Sequence, residues 1–540
     1  MAGPLDLRWD GAVYYVLGTS LAEGKGYRLL NEPGDIEACQ YPPGLPLLAA
    51  VPQTILGTSD PVVVGWWLKL MFLCFHGALA AATYFLLDTF VPGWLAFLGA
   101  LALLLNVQAA FHSNLFFTEI PFALVTVLFV LSSRRGSNRV REALTAALGV
   151  TAFLLRTAGI ALFTAWVAES LLRRQFKRAA ARLLISAVPV LCWNAYVFHV
   201  ERSASYTNPA YPYQRAPYLN YNVSYAANIS LDNAYSPGFR RATPRELAIR
   251  VWHNALGMPI VLGEAVSDTR GYWKARVGSR LPSVGFVRRW GSYSPLVLLG
   301  GLILGGVAVL FGRGEFFIPI YLVTAVILIC ATPWPDQFRR YLTALLPFLL
   351  VALLVCVLAA GNWVQTLWPR PGRLWAIVGL AVVLALVFDA ERHGLRDMYG
   401  HHLDPVSAEA RDGRVVAYRV FYYRAPYASL DGGLEWLKKR AKPEDVIATS
   451  MPQWAYLVTG LKAVRPPLES LPERAQVLLD SVPVAYVVLD IGTVGDFDVP
   501  YLHPLLEGHP RAWKLVYRGQ EGRVLIYQRL QPGDDVGGIQ

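Results

Sequence analysis

From residue 61 to residue 389 the chain is dominated by long apolar runs separated by short polar ones. Runs of this length and purity belong in a bilayer, where every backbone group must be satisfied inside its own segment. The pattern predicts ten membrane segments, at about 61–88, 91–112, 120–133, 142–154, 158–172, 183–200, 295–311, 316–332, 341–360 and 374–389. Residues 11–24 read differently. Val13, Val16, Leu17 and Leu21 are apolar, with small and polar residues between them, which predicts an interfacial amphipathic helix rather than a span. "YPPGLP" from Tyr41 cannot be helical and redirects the chain. The apolar stretch 45–57 is short, so a second interfacial or re-entrant segment is expected. From 415 onward the period changes to that of a small α/β domain. A helix at about 430–441 leads into a strand, "VAYVVLD" (484–490) is a strand, and 513–530 is a hairpin turning at Gln520–Gly522. The predicted fold class is a polytopic α-helical membrane protein of about ten spans plus interfacial helices, with a C-terminal extracytoplasmic α/β domain. The membrane domain covers 1–390, including outer-face loops 1–60 and 201–294, and the α/β domain covers 391–540.

Composition sharpens this. Of the 540 residues, 54% are hydrophobic and 16% charged, against roughly 25% charged in soluble domains. The net charge of +11 does not point to nucleic acid, because from Glu391 onward 18 basic residues face 19 acidic ones. The excess sits in the membrane part, where it suits topology signals and anionic lipid or phosphate partners. The five cysteines, Cys39, Cys74, Cys192, Cys330 and Cys356, form neither a disulfide framework nor a zinc spacing. The first residues do not read as a signal peptide.

Orientation follows from short basic loops, which stay cytoplasmic. "SSRRGSNRVR" (132–141) and "RRQFKRAAAR" (173–182) are the strongest, with Arg313 and the pair Arg370 and Arg373 as weaker signals. A single helix from Glu142 to Leu172 would put the two strong loops on opposite faces and leave Arg156 snorkelling. Splitting the helix at "LLRTAG" puts both loops inside and Arg156 at the outer surface, and this is the arrangement expected. Ten spans then leave both ends outside. That geometry calls for a span ahead of Asp10, or for a first hairpin that inserts unaided.

Polar residues gather on the outer face. Asp10 heads the first interfacial helix, and Glu119 opens a span in "FFTEIPF". Arg156 sits at the helix break, and Asp336, Arg339, Arg340 and Tyr341 open another span in "WPDQFRRYL". An acid at the water boundary can take a proton from a hydroxyl, and arginines at the same depth can hold a phosphate. Structural readings stand beside these: a helix cap for Asp10, a helix-dipole partner for Glu119, and membrane-surface anchors for the arginines. Trp9, Tyr14 and Tyr15 suit sugar stacking or an interfacial aromatic belt, and so does the Tyr-rich stretch from Ser205 to Phe239. The tripeptides "NVS" and "NIS" match the N-glycosylation pattern but carry no weight. His76 lies within a span and reads as a packed or hydrogen-bonded helix residue and not a ligand, and His199 and His253, on the outer face, have no partner in the pattern.

The ordered set "DGAVYYVLGTSLAEGKGY…YPPGLPLL…TEIPF…RTAG…RRYLTALLP" resembles the GT-C superfamily of integral membrane glycosyltransferases, over roughly residues 8–360. The likeness is to the bacterial branch of protein O-mannosyltransferases and the lipid A aminoarabinose transferase. The resemblance implies a GT-C fold and inverting transfer of a sugar from a polyprenyl-phosphate donor to a hydroxyl acceptor of a glycan, lipid or protein, away from the cytosol. It implies that Asp10 is the catalytic base and that Glu119 is a second catalytic or acceptor-binding acid. Arg339 and Arg340 would lie at the donor phosphate, with Arg156 and Lys25 assisting, and Tyr14, Tyr41, Asp336 and Tyr341 would line the substrate. Family members carry a span before the first acid, and many have a second acid beside it. Here the neighbour of Asp10 is Gly11. No ligand cluster is readable, so no metal or other cofactor is expected to be obligatory. Two other classes remain open: a transporter or lipid flippase, which predicts midplane charges and repeated halves, and a non-catalytic envelope assembly protein.

Overall fold

The computed structural model describes residues 3–134, 139–209, 211, 222–233, 236, 240–278 and 291–530. The chain forms two compact units. The first comprises Met1–Lys69, Trp193–Ala242 and His402–Gln540, and the second Leu70–Cys192 and Thr243–His401.

In chain order the elements begin with α1 (Asp10–Ala22), the short pair β1 (Arg28–Leu29) and β2 (Ile36–Glu37), and α2 (Gly44–Leu56). Then come α3 (Pro61–Asp88), α4 (Gly93–Leu105), α5 (Val107–His112), α6 (Glu119–Arg134), α7 (Arg139–Leu155), α8 (Ile160–Leu172) and α9 (Phe176–Arg202). Two short helices follow, α10 (Ala204–Thr207) and α11 (Tyr225–Ser230), and then α12 (Pro244–Ala265) and α13 (Arg270–Gly278). The last helices before the sheets are α14 (Ser294–Gly312), α15 (Phe317–Ala331), α16 (Phe338–Thr343), α17 (Leu346–Leu367) and α18 (Pro369–His401).

The C-terminal part begins with the hairpin β3 (Leu403–Glu409) and β4 (Val415–Phe421). It continues as α19 (Ala425–Lys438), β5 (Val446–Ala448), α20 (Pro452–Thr459), β6 (Lys462–Val464), α21 (Pro472–Asp480), β7 (Val484–Asp490), α22 (Val499–Gly508), β8 (Trp513–Arg518) and β9 (Val524–Arg529). The sheet order is β6-β5-β7-β9-β8. β5 runs parallel to β6 and β7, while β9 is antiparallel to β7 and β8. Period-two alternation explains why both faces are covered. Val446, Ala448, Val487 and Leu489 pack with α21 and α22, while Ile447, Tyr486 and Val488 pack with α19 and α20.

Among the described residues, five helices are long and apolar enough to cross a membrane: Pro61–Asp88, Phe176–Arg202, Ser294–Gly312, Leu346–Leu367 and Pro371–His401. Shorter apolar helices at Gly44–Leu56, Gly93–Leu105, Thr157–Leu172 and Phe317–Ala331 accompany them. The expected span 91–112 is broken at Asn106, whose side chain caps α5 by accepting from Ala109 N. The helix of the last expected span continues past 389 to His401.

The split at "LLRTAG" is present. Arg156 is extended between α7 and a turn of 3₁₀-helix at Thr157–Gly159. The chain folds back there: Phe153 stacks on Phe163 at 6.1 Å, and a Cβ on Gly149 would meet Phe163 at 2.8 Å. Charges near the two basic loops accordingly interleave at one end of the second unit. Arg134 pairs with Glu315 at 2.6 Å, Arg178 pairs with Glu142, and buried Arg182 lies 3.7 Å from both Glu142 and Glu169. Part of the first loop, 135–138, lies outside the described residues.

The second half of "YPPGLP", expected to be non-helical, is the first turn of α2, where Pro46 has no helix hydrogen bond to forfeit. Two further expectations change. α1 is not a surface helix, for Gly11 to Ser20 are all buried. Its small residues allow close approach: a Cβ on Gly18 would sit 2.7 Å from Pro46 O and 2.8 Å from Ala49 Cβ of α2. Its polar side chains are satisfied locally, Thr19 donating to Tyr15 O and Ser20 to Gly26 O. The interfacial character belongs to α2, where Leu47, Val51 and Ile55 form an exposed apolar stripe reaching 78% exposure at Ile55. The second change is α12, a 22-residue helix inside the stretch expected as a loop, packed on α14 and α15. Arg250 and Asn254 disguise it in the sequence. In the structure they donate to Ala331 O and Cys330 O, at the end of α15, while Ile249, Trp252 and Leu256 face outward. The Asn of "NVS" is buried and bonded to Cys39 N and Glu37 O. Part of the Tyr-rich stretch, 212–221 and 237–239 among it, lies outside the described residues.

Glycines set the tightest helix contacts. A Cβ at Gly306 of α14 would fall 1.8 Å from Ala352 O of α17, and one at Gly300 would fall 1.8 Å from Pro259 O of α12. Gly306→Ala is expected to cost about 1–3 kcal/mol by overpacking, read as a lower unfolding temperature in detergent. In the sheet, Asp490 is buried and accepts from Ser450 Oγ at 2.8 Å and from Thr493 Oγ1. Burial pushes its carboxyl up from 3.8 to about 6. Folding therefore favours the protonated form. That stabilisation is complete below about pH 4 and is lost as pH rises through about 6. Asp490→Asn should raise the melting temperature relative to the parent at pH 8 and leave it nearly unchanged at pH 3.5.

Candidate active site

Charges from three elements of the second unit meet around the buried Glu119. The "TEIPF" segment starts α6 at this residue, so its carboxylate sits in the first helical turn, where the helix dipole favours a negative charge. The side chain is fully buried. Its Oε1 accepts from Arg340 Nε at 2.7 Å and from an Arg156 Nη at 3.1 Å. Its Oε2 has no hydrogen-bond partner among the described residues. Arg156 arrives from the break between α7 and α8, and Arg340 from the short helix α16. Aromatic faces support both guanidinium groups: Arg340 lies 4.1 Å from the Phe117 centroid and Arg156 5.0 Å from that of Tyr341. Two guanidinium groups around one carboxylate leave the cluster a net cation. It stands at the opposite end of α6 from Arg134, and 16 helical residues span about 24 Å.

Arg339 is next to Arg340 in sequence but serves another carboxylate. Successive helical residues point about 100° apart. Arg339 approaches Asp268 at 3.9 Å and donates to Ser267 O at 3.4 Å. The far oxygen of Asp268 meets His393 Nδ1 at 3.3 Å, and the His393 ring lies 4.4 Å from Tyr272. Nearby, buried Glu391 accepts from Asn106 Nδ2 at 2.6 Å and from Val107 N at 2.8 Å. Asp268, His393, Glu391 and Asn106 escaped the sequence reading. Asn106 had a signal, being an amide within an apolar run. The others lie in helices and turns whose partners are distant in sequence.

The structure thus brings Glu119, Arg156, Arg340 and Tyr341 together and sets Arg339 beside Asp268. Asp336 is exposed and accepts from Gln337 Nε2. Asp10, Tyr14, Lys25 and Tyr41 belong to the first unit. Asp10 is partly buried as the first residue of α1, and the capping position is Trp9, so Asp10 is not the helix cap. Tyr14 packs edge-on against Tyr41 with centroids 4.8 Å apart. Lys25 is exposed and paired with Glu23 at 2.8 Å. Among the described residues no three His, Cys, Asp or Glu side chains are grouped to hold a metal ion.

No protein-family model matches this sequence, and no curated protein does. Solved structures do match. ArnT from Cupriavidus metallidurans, bound to undecaprenyl phosphate, is similar over 99% of this chain and 96% of its own, with TM-score 0.52 and 12% identity. The archaeal oligosaccharyltransferase AglB from Archaeoglobus fulgidus, in complex with an inhibitory peptide and a dolichol-phosphate, is similar over 98% of this chain and 71% of its own, with TM-score 0.50 and 14% identity. At these identities the likeness is one of fold: the chain shares the architecture of these two membrane proteins over nearly its whole length.

Proposed function

We propose that this protein is a membrane glycosyltransferase that moves a sugar from a polyprenyl-phosphate donor to a hydroxyl acceptor on the extracytoplasmic face. The observation that carries the reading is the Glu119 carboxylate gripped by Arg156 and Arg340. A buried acid holds two guanidinium groups in fixed directions, and fixed guanidinium groups suit a phosphate. ArnT, which shares the fold, is described with undecaprenyl phosphate, and AglB with a dolichol-phosphate. The opposite end of α6 carries the Arg134, Arg178 and Arg182 ion pairs. The preference of basic loops for the cytosol turns the Glu119 end outward.

In the reaction proposed, the acceptor hydroxyl gives its proton to the Asp10 carboxylate. The oxygen attacks the anomeric carbon, and the bond from that carbon to the phosphate oxygen breaks with inversion. The leaving polyprenyl phosphate takes the electron pair, and Arg340 and Arg156 stabilise its charge. Glu119 keeps the arginines in place rather than reacting.

Asp10→Asn should lower transfer by about 10²- to 10⁴-fold while binding of undecaprenyl phosphate is retained; transfer at the parental rate removes the base assignment. Arg340→Ala should weaken undecaprenyl phosphate binding at least tenfold, measured by titration in detergent. An unchanged affinity there, and also in Arg156→Ala, rejects the phosphate role.

A further inference from the structure

The residues just ahead of Asp10 are held in an unusual way within the first unit. Residues 3–8 are all buried. Arg8, 2% exposed, makes a forked ion pair with Asp6, with contacts of 2.6 to 3.1 Å. It also donates to Phe421 O at 2.8 Å and to Tyr422 O at 3.3 Å, at the end of β4. Its guanidinium lies 4.7, 5.3 and 5.0 Å from the ring centroids of Trp9, Tyr423 and Tyr427. The Trp9 indole donates to Tyr427 OH at 2.9 Å.

Two of these partners have left-handed backbone: Trp9 at φ 57° and Tyr422 at φ 56°. Residues with a bulky side chain rarely adopt such angles, and strain of this kind persists only where the surroundings enforce it. Here the enforcing groups are visible. Arg8 ties the two strained segments together through the Tyr422 carbonyl and the Trp9 ring, and Tyr427 fixes the Trp9 indole. The next residue after Trp9 is Asp10, so the Trp9 torsions set the direction in which the Asp10 side chain leaves the start of α1.

We infer that Arg8 and Tyr427 are positioning residues for Asp10, and that the C-terminal α/β segment takes part in the reaction by aiming the base. This rests on the reading of Asp10 as the base. The clamp explains why an arginine stands here: a guanidinium can lie among three rings while its five N–H donors reach two carbonyls and a carboxylate, and an ammonium group has three donors.

The test uses full-length protein in detergent. Tyr427→Phe removes only the hydroxyl that accepts from Trp9, and Arg8→Lys keeps the charge but loses the fork. Backbone hydrogen exchange across residues 9–16 should accelerate at least tenfold in both variants, with exchange across 484–490 unchanged as a sign of an intact sheet. With a panel of undecaprenyl-phosphate hexoses and pentoses as donors, kcat should fall about tenfold in Tyr427→Phe and about a hundredfold in Arg8→Lys, with donor KM held. Unchanged exchange across 9–16 in both variants overturns the clamp, and accelerated exchange with parental kcat overturns its positioning role. If Asp10→Asn retains transfer, the base reading falls and the positioning inference falls with it. Accelerated exchange in the two variants would then establish only that the clamp orders α1.

Discussion

A single carboxylate organises the second unit. Glu119 is removed from water, and a lone buried charge at that position would be prohibitive. The two arginines that compensate it come from places in the chain that have no other reason to meet: the joint between two short helices and the entry to α17. Removing both arginines would leave an uncompensated charge in a buried site, whereas either one alone still pairs it. The carboxylate therefore dictates that α6, the α7–α8 joint and α16 stay together. The same constraint leaves an excess of positive charge in the cluster, and the proposed phosphate role rests on that excess.

Much of the architecture was legible because the bilayer simplifies the code. The long apolar runs become helices within a few residues of the expected limits, as with Pro61–Asp88 and Ser294–Gly312. The break at Arg156 was readable because two basic loops had to lie on one side. The β7 strand and the hairpin turning at Gln520–Gly522 followed from period-two alternation and turn chemistry. Misreadings arose where a polar residue has a partner far away. Arg250 and Asn254 make α12 look like a loop, yet each is spent on a carbonyl at the end of α15. The α1 sequence resembles a surface helix because its small residues read as neutral, whereas they permit burial against α2.

The candidate site was legible in part for the same reason. Glu119, Arg156 and Arg340 stood out as charges at the ends of apolar runs, and the structure joins them. The sequence could not assign different partners to adjacent arginines, because that depends on the 100° step of the helix and on Asp268 from a turn far away. Nor could it show that residues 6–9 are gripped by Phe421, Tyr422, Tyr423 and Tyr427, a contact separated by more than four hundred positions. Aromatic residues at both ends of that contact read as an interfacial belt until their rings are seen around a guanidinium.

The paired short helices α7 and α8 bear on the lipid itself. With 17 and 13 residues they rise about 26 and 20 Å, less than the roughly 30 Å of a typical hydrocarbon core. Hydrophobic mismatch of this sign is relieved by local compression of the bilayer. Where the bilayer thins to meet these helices, the headgroups beside Arg156 ride deeper than those of undisturbed membrane. A long-chain phosphate diffusing in that leaflet would reach the arginine's depth without having to climb out of its own membrane.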